Sequence, residues 1–227
     1  MKIFLVINLR EYAHLFLFAQ TQLSVIPHTQ GGLVYGADAW SIWGAEVLDR
    51  VPPAPSIDWD ANDPYFNEAY RDNYVFLYIP QRIRVSGKEK DLTLQTLREI
   101  SGGPFRFFTN SVAEEFGDST SHGWVLVSKK VIPDSRSKSY QIQKDMVEGQ
   151  EGFRMPHALE AIVLNLMVFA FTNERLYGES PLTYTRCVET FHRLYNVVVG
   201  GFVSDGLSVD DDRFDSDDVG VAALRKS

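Results

Sequence analysis

The segment that decides the fold is Ala161-Ile-Val-Leu-Asn-Leu-Met-Val-Phe-Ala-Phe171, in which Asn165 is the one polar residue. A helix that is apolar on nearly every side has to be covered on all sides. Pro156 marks its beginning, because a proline is tolerated in the first turn of a helix. The sequence therefore predicts a buried central helix over about 156–176, packed against a sheet.

A second helix and a β-hairpin are predicted after the central helix. Ser180 followed by Pro181 is a typical helix start, with a capping serine and a first-turn proline. The apolar residues that follow recur at helical spacing, at Tyr184, Cys187, Val188, Phe191, Leu194 and Tyr195. The pattern then changes, and residues 197–203 with 207–209 are expected to pair with 219–224 as a C-terminal β-hairpin. Gly200-Gly201 predicts a bulge or a close backbone approach in this hairpin.

Three strands and a short helix are predicted upstream of the central helix. Residues 74–79, 105–109 and 124–128 are rich in β-branched and aromatic side chains, which is typical of strands. Residues 92–100 predict a helix that Asp91 caps, and the polar residues 135–148 predict an exposed helix or a long loop. The fold class predicted is α+β, with a mainly antiparallel sheet packed on the buried central helix.

The chain divides into two parts at about residue 73. Residues 1–73 are expected to form an N-terminal extension or a small subdomain, which contains the proline-rich candidate linker at 52–55. Residues 74–227 are expected to form the α+β domain. The apolar segment at 3–18 lacks the uninterrupted run of a signal peptide or a transmembrane helix. It predicts either a strand or helix packed on the body, or a poorly ordered segment upstream of it.

Composition excludes two classes of partner. The chain has 227 residues and a formal net charge of -8, with 44% hydrophobic residues. This acidic balance argues against nucleic acid and against an anionic membrane surface as partners. The single cysteine, Cys187, excludes an internal disulfide and a cysteine-based zinc site within one chain.

Several short blocks of sequence are familiar when they are taken together. They are Trp124-Val-Leu-Val-Ser-Lys-Lys-Val-Ile-Pro-Asp-Ser-Arg-Ser-Lys-Ser-Tyr140, Tyr184-Thr-Arg-Cys187, Val198-Val-Gly-Gly-Phe202 and Val219-Gly-Val-Ala-Ala-Leu-Arg-Lys226. In this order they resemble a family of uncharacterised proteins from chlamydia-related intracellular bacteria, over roughly residues 74–226. The resemblance implies no activity and no catalytic residue. It implies a setting, a bacterium inside a host cell, in which host-directed proteins are common.

Cys187 is the candidate nucleophile. A thiolate would need a base, and the histidines considered for that role are His122, His157 and His192. His122, at the start of a predicted strand, is the partner with the most interesting geometry. Cys187 also lies on the apolar stripe, which favours a buried structural cysteine instead.

The acidic segment 210–218 holds six aspartates in nine positions. Carboxylates at this density are candidate ligands for a hard cation, and Asp210, Asp212 and Asp215 are the weak metal candidates. The spacing of a calcium-binding loop with its central glycine is missing. We therefore expect no metal site and interpret the segment as a solvated, mobile hairpin tip. Ser135-Arg136-Ser137-Lys138 is a weaker candidate, either for holding a phosphate or for phosphorylation, and an ordinary surface loop is favoured.

No familiar catalytic or nucleotide-binding motif is present in the sequence. The leading hypothesis is a non-enzymatic protein-interaction module with an unknown protein partner and no cofactor, and a host-directed role is the setting that the resemblance implies. The alternative is a cysteine-dependent hydrolase or transferase that uses Cys187 with a histidine. The expected location is the cytoplasm, or a host cell after export.

Overall fold

The computed structural model describes residues 33–56, 72–102, 105–178, 180–191, 195–212 and 215–226. The strands within these ranges are β1 (Leu33–Tyr35), β2 (Ala45–Val47), β3 (Tyr74–Ile79), β4 (Arg82–Val85), β5 (Lys88–Asp91), β6 (Phe105–Phe108), β7 (Gly123–Ser128), β8 (Phe153–Arg154), β9 (Tyr184–Phe191), β10 (Tyr195–Val203), β11 (Gly206–Asp212), β12 (Val219–Gly220) and β13 (Leu224–Lys226). The α-helices are α1 (Leu94–Ile100), α2 (Asn110–Phe116), α3 (Tyr140–Glu148) and α4 (Ala158–Thr172), and Ala37–Trp43 forms a 3-10 helix.

These strands form three sheets. The first sheet has the order β1-β3-β7-β13-β8, the second β12-β9-β10-β11-β6 and the third β2-β4-β5. Neighbouring strands are antiparallel except at β1–β3, β11–β6 and β12–β9, which are parallel. The predicted α+β class is confirmed.

Helix α4 lies in the main core. It contacts β9 and β10 of the second sheet, β3 of the first sheet and helix α1. Every residue from Ala158 to Val168 is buried, as the uniformly apolar sequence requires. The helix begins two residues later than Pro156, because His157 takes the capping position, and it ends at Asn173 in the left-handed conformation.

Strand β3 is buried on both faces. Val75, Leu77 and Ile79 face the main core with α4. The alternating residues Tyr74, Phe76 and Tyr78 belong to a second apolar cluster that also contains Trp124 and Val147. A strand with two covered faces reads as an unbroken apolar run, which is why the sequence predicted this strand correctly.

The second predicted helix is wrong, because residues 184–191 form strand β9. Burial alternates along its second half, with Cys187, Glu189 and Phe191 buried and the residues between them partly exposed. Glu189 is buried because its carboxylate accepts hydrogen bonds inside the protein. Because a glutamate occupies an inward position, the apolar residues do not alternate with the period of two that is typical of a strand. The apolar residues taken alone recur at helical spacing, which is why the sequence predicted a helix.

The C-terminal pairing also differs from the prediction. The hairpin forms between β10 and β11, with Val203 opposite Gly206, and the acidic segment begins within β11 instead of forming the tip. Strand β12 pairs with β9, and β13 crosses to the first sheet to pair with β7 and β8. The predicted irregularity at Gly200-Gly201 is confirmed by the register shift there and by the bond from the Gly201 N–H to the Thr183 carbonyl at 2.8 Å.

Residues before position 73 contribute to the same core. Strand β1 pairs with β3, and β2 pairs with β4. Trp40 is fully buried and donates its indole N–H to the Tyr78 carbonyl at 2.8 Å. The predicted segment at 3–18 lies outside the described residues. Among the described residues, no helix combines the length and the apolar character that crossing a bilayer requires.

Two local predictions change in detail. Thr93, and not Asp91, caps α1, since its side chain accepts the Thr96 N–H and Asp91 ends strand β5. Within 135–148 the structure forms helix α3, which buries Gln143 and Val147 on its inner side.

Candidate functional site

Cys187 has no access to solvent. It lies in β9 with an exposed fraction of 0%, and its Sγ contacts the Thr185 carbonyl at 3.9 Å. Burial raises the pKa of this thiol well above its usual value, and the negative charges of Glu189 and Glu160 raise it further. A thiol in this setting stays protonated and is therefore a poor nucleophile. Its contacts are those of a structural core residue.

His122 is an exposed residue that immediately precedes β7. A nucleophilic cysteine needs a base within hydrogen-bond reach in a cleft that substrate can enter. A fully buried thiol and an exposed imidazole do not share such a cleft. The structure therefore does not bring the two candidate catalytic residues into one open site.

A cluster of buried polar groups surrounds the beginning of α4 instead. At its centre is Glu160, with an exposed fraction of 0%. Its carboxylate accepts hydrogen bonds from the Ser121 hydroxyl at 2.6 Å and from the His157 backbone N–H at 2.7 Å. The guanidinium of Arg154, on β8, donates to both carboxylate oxygens. Glu160 thus joins the first sheet to the central helix through a charged pair whose acceptors are filled.

His157 and Glu189 extend this cluster to the second sheet. The Nδ1 atom of His157 lies 3.1 Å from Glu189 Oε1, and the other oxygen of Glu189 accepts the Ala158 N–H at 2.9 Å. The His157 side chain is 40% exposed, whereas that of Glu189 is 7% exposed. In this pair, the buried carboxylate of Glu189 orients the imidazole of His157, which lies at the protein surface.

The charges of the cluster shift two pKa values in opposite directions. The pKa of His157 is raised, first by its hydrogen bond to Glu189 and then by the negative charges of Glu189 and Glu160, against burial and Arg154. Burial alone would raise the pKa of Glu160. The hydrogen bonds and positive charge of Arg154 lower this pKa, together with the hydrogen bonds from the Ser121 hydroxyl and the His157 backbone N–H. The cluster therefore favours the charged form of the His157 imidazole and the charged form of the Glu160 carboxylate.

The acidic segment is fastened to the body by a buried arginine. Arg186, on β9, is 2% exposed and donates to Gln143 Oε1 at 3.0 Å and to the Lys138 carbonyl at 3.1 Å. Its Nη2 lies 3.4 Å from Asp212, and its Nη1 lies 3.7 Å from the more exposed Asp215. The prediction of a solvated hairpin tip at 210–218 is wrong for Asp210–Asp212, which lie in β11, where the buried Arg186 attracts the Asp212 carboxylate. Asp215 and Asp217 are exposed in the connection that leads to β12.

The metal candidates do not converge on one point. Asp212 and Asp215 lie beside Arg186, while burial raises the pKa of Asp210, a direction that opposes cation binding. Across the described part of the chain, no group of three His, Cys, Asp or Glu side chains is placed to hold a metal ion.

The loop before α3 lines an open groove of about 420 Å³. Its lining residues are Val131, Ile132, Pro133, Asp134, Arg136 and Lys138. Of the two serines in the candidate segment 135–138, Ser135 is fully buried and donates its hydroxyl to the Ile132 carbonyl at 2.8 Å, whereas Ser137 is exposed. Arg136 donates to the backbone carbonyls of Leu182 and Asp217, at 3.0 and 2.9 Å. The loop is therefore held in a defined shape.

Sequence reasoning missed the cluster at α4 because its contacts are distant in the chain. His157 and Glu189 are 32 residues apart, and Ser121 and Glu160 are 39 apart. One local signal was present, since Glu160 lies three residues after the capping position, where a carboxylate reaches back to the cap N–H.

Comparison with known proteins gives no relative: no family model, no curated protein and no solved structure matches this chain.

Proposed function

We propose that this protein is a non-enzymatic interaction module that binds a protein partner at the groove along residues 131–138. The observation that supports this most is the position of the exposed apolar side chains. Ile142 and Leu182, 49% and 41% exposed, are the large apolar side chains left exposed among the described residues. Both are on segments that hydrogen-bond to the groove loop.

Specific contacts join these segments to the loop. The Leu182 carbonyl accepts a hydrogen bond from Arg136, and Gln143, next to Ile142, donates to the Ser135 carbonyl at 2.7 Å. A concave surface with apolar anchors on the adjoining segments is the arrangement that binds a polypeptide with few hot-spot contacts. Hydrogen bonds hold the groove in its shape before a partner binds, so binding costs less conformational entropy.

The charge of this loop supports an acidic partner. Lys129, Lys130, Arg136 and Lys138 lie along it with one carboxylate, Asp134, in a chain whose net charge is -8. Several basic side chains close together on one loop attract an acidic segment, because opposite charges steer the two surfaces together. The partner we propose is a polypeptide segment with acidic residues and an apolar anchor.

The alternative, a cysteine-dependent hydrolase or transferase, gains no support from the position of Cys187. The resemblance over residues 74–226 suggests a host protein as the partner and, with it, export into the host cell.

Matched surface variants test the proposal. Leu182→Asp and Lys138→Glu change the groove and its surroundings, and Lys88→Glu makes the same charge change on the exposed strand β5. Partners are captured from host-cell lysate with each variant, and the dissociation constant of each purified partner is then measured directly. We expect a partner whose affinity falls at least about tenfold with either groove variant and is unchanged with Lys88→Glu.

Two results would overturn this proposal. One is that no captured protein distinguishes the groove variants from Lys88→Glu. The other is a partner bound directly that loses affinity only when Cys187 is changed to Ala in a folded protein, which would return attention to the thiol.

A further inference from the structure

The beginning of α4 contains a titratable connection between the two large sheets that the proposed binding function does not use. Arg154 comes from the first sheet, Glu189 from the second, and His157 and Glu160 from the start of the helix between them. Of these four residues, His157 has the side chain whose ordinary pKa lies closest to neutral pH. It is also the most exposed of the four, so its proton exchanges directly with solvent.

We propose that His157 and Glu189 form a proton-operated clamp, which fixes the first turn of α4 to β9 when His157 is protonated and loosens when it is neutral. The clamp is defined by these two side chains and the Ala158 N–H. Glu189 is shared between them, since one of its oxygens pairs with the imidazole and the other accepts the Ala158 N–H. A change in the imidazole charge therefore acts on the same carboxylate that holds the helix.

The electrostatic surroundings of His157 set the direction of the effect. Glu189 on β9 and Glu160 on α4 favour the imidazolium, and Arg154 on β8 opposes it. The hydrogen bond to Glu189 is the largest contribution and raises the pKa of His157 above its ordinary value. Glu160 is already paired with Arg154, whereas Glu189 has His157 as its ion-pair partner, with His157 Nδ1 at 3.1 Å from Glu189 Oε1.

The direction in which stability changes with pH follows from proton linkage. A histidine whose pKa is higher in the folded state binds its proton more tightly when folded. The resulting stabilisation is complete below the unfolded-state pKa of about 6.5, and it is lost as the pH rises through the folded-state pKa. The clamp is therefore tight under mildly acidic conditions and loose under alkaline ones.

Hydrogen exchange at single amide groups measures directly whether the clamp is tight or loose. The Ala158 amide bonds to Glu189, whereas the Asn173 amide bonds to the Phe169 carbonyl at 2.8 Å at the other end of the same helix. Protection factors, corrected for the intrinsic rate at each pH, are measured on the full chain. Between about pH 5.5 and about pH 8.5 we expect protection of Ala158 to fall at least about threefold while that of Asn173 stays constant.

Two further measurements keep the proposal refutable. His157→Gln keeps a donor for Glu189 but cannot titrate, so the pH response at Ala158 should disappear, whereas His122→Gln should retain it. In the unmodified chain, the pKa of His157 measured by NMR should exceed about 6.5, and Glu189→Gln should lower it. A pKa at or below that value, or equal pH responses at Ala158 and Asn173, would overturn the clamp even if His157→Gln failed to fold.

Discussion

Removing the guanidinium of Arg186 should destabilise the protein strongly. The side chain is 2% exposed, and among the residues that the structure describes it donates to Gln143 Oε1, the Lys138 carbonyl and Asp212. Arg186→Met keeps most of the aliphatic volume but leaves these acceptors without that donor. Breaking a buried charge pair from one side costs about 3–5 kcal/mol, and we expect a loss of unfolding free energy in that range. Asp215 adds little to it, because its side chain is 53% exposed.

The assay is chemical denaturation with linear extrapolation to zero denaturant. The matched control is Arg84→Met on β4. Arg84 pairs with Glu46 at 2.8 Å and Glu89 at 2.9 Å, but all three side chains are more than one-third exposed. Exposed ion pairs add little to stability, so the control should lose far less stability than Arg186→Met. Adding Asp212→Asn to Arg186→Met should recover part of the loss, since it removes the negative charge that the guanidinium of Arg186 balanced.

Equal losses for Arg186→Met and Arg84→Met would refute this reasoning. That result would mean that the acidic segment is solvated without help from Arg186, as the sequence alone suggested. A full-sized loss that the second substitution at Asp212 does not relieve would assign the effect to Gln143 and the Lys138 carbonyl instead.

Four other predictions concern the core, the thiol and the carboxylates. Leu166→Ala should lower the unfolding free energy by about 2–5 kcal/mol in a denaturant titration, because this residue of α4 is buried; a loss under about 0.5 kcal/mol would contradict it. Cys187 should react slowly with a thiol reagent in the native protein and rapidly after unfolding, and fast native labelling would disprove its burial. Because the folded-state pKa of Glu160 is lowered, its stabilisation is present above about pH 4.5 and is lost as the pH falls through the folded-state pKa. Denaturation midpoints measured against pH should therefore decline less steeply on the acid side in Glu160→Gln. Millimolar calcium should leave the melting temperature unchanged, and a rise that disappears on changing Asp210 and Asp212 to Ala would reveal a cation site.

The parts of the fold that the sequence predicted are those in which burial leaves a simple pattern. Strands β3 and β7 are apolar on both faces, and α4 is apolar all round. Each of these elements reads as a long hydrophobic run with local start or stop signals. Their positions follow from the chain itself, within the few residues by which element ends vary.

Strand β9 shows where such patterns fail. Its inward positions include Glu189, and its opposite face buries Arg186, so hydrophobicity does not alternate along the strand. Both charges are buried only because their partners come from elsewhere in the chain, His157 for Glu189 and Asp212 for Arg186. A single sequence does not show such pairing, since the contacts exist only after the elements have packed.

The candidate sites depended on the same non-local contacts. The prediction that Cys187 is buried is confirmed, but the residue lies in strand β9 and not in the predicted helix. The Val131–Lys138 groove and the cluster at α4 arise from backbone carbonyls and side chains that meet across the sheets. Of these, the glutamate three residues after the helix cap was the local signal that sequence reasoning could have used.

The two buried charges of β9 have a structural consequence that the apolar core could not supply. Arg186 and Glu189 face opposite sides of β9 across a shift in its register with β10: Arg186 contacts Gln143 and Lys138, and Glu189 accepts the Ala158 N–H of α4. Cys187 belongs to the main core that contains α4. A slip of one residue would turn Arg186 toward the apolar face of α4 and Glu189 away from the Ala158 N–H. Either charge would then be buried without its partner, at a cost of several kcal/mol. Apolar residues such as Val188 and Cys187 exchange places in a core at a much smaller cost. We therefore infer that the charged pairs, and not the hydrophobic contacts, select the register of β9 between the central helix and the acidic segment.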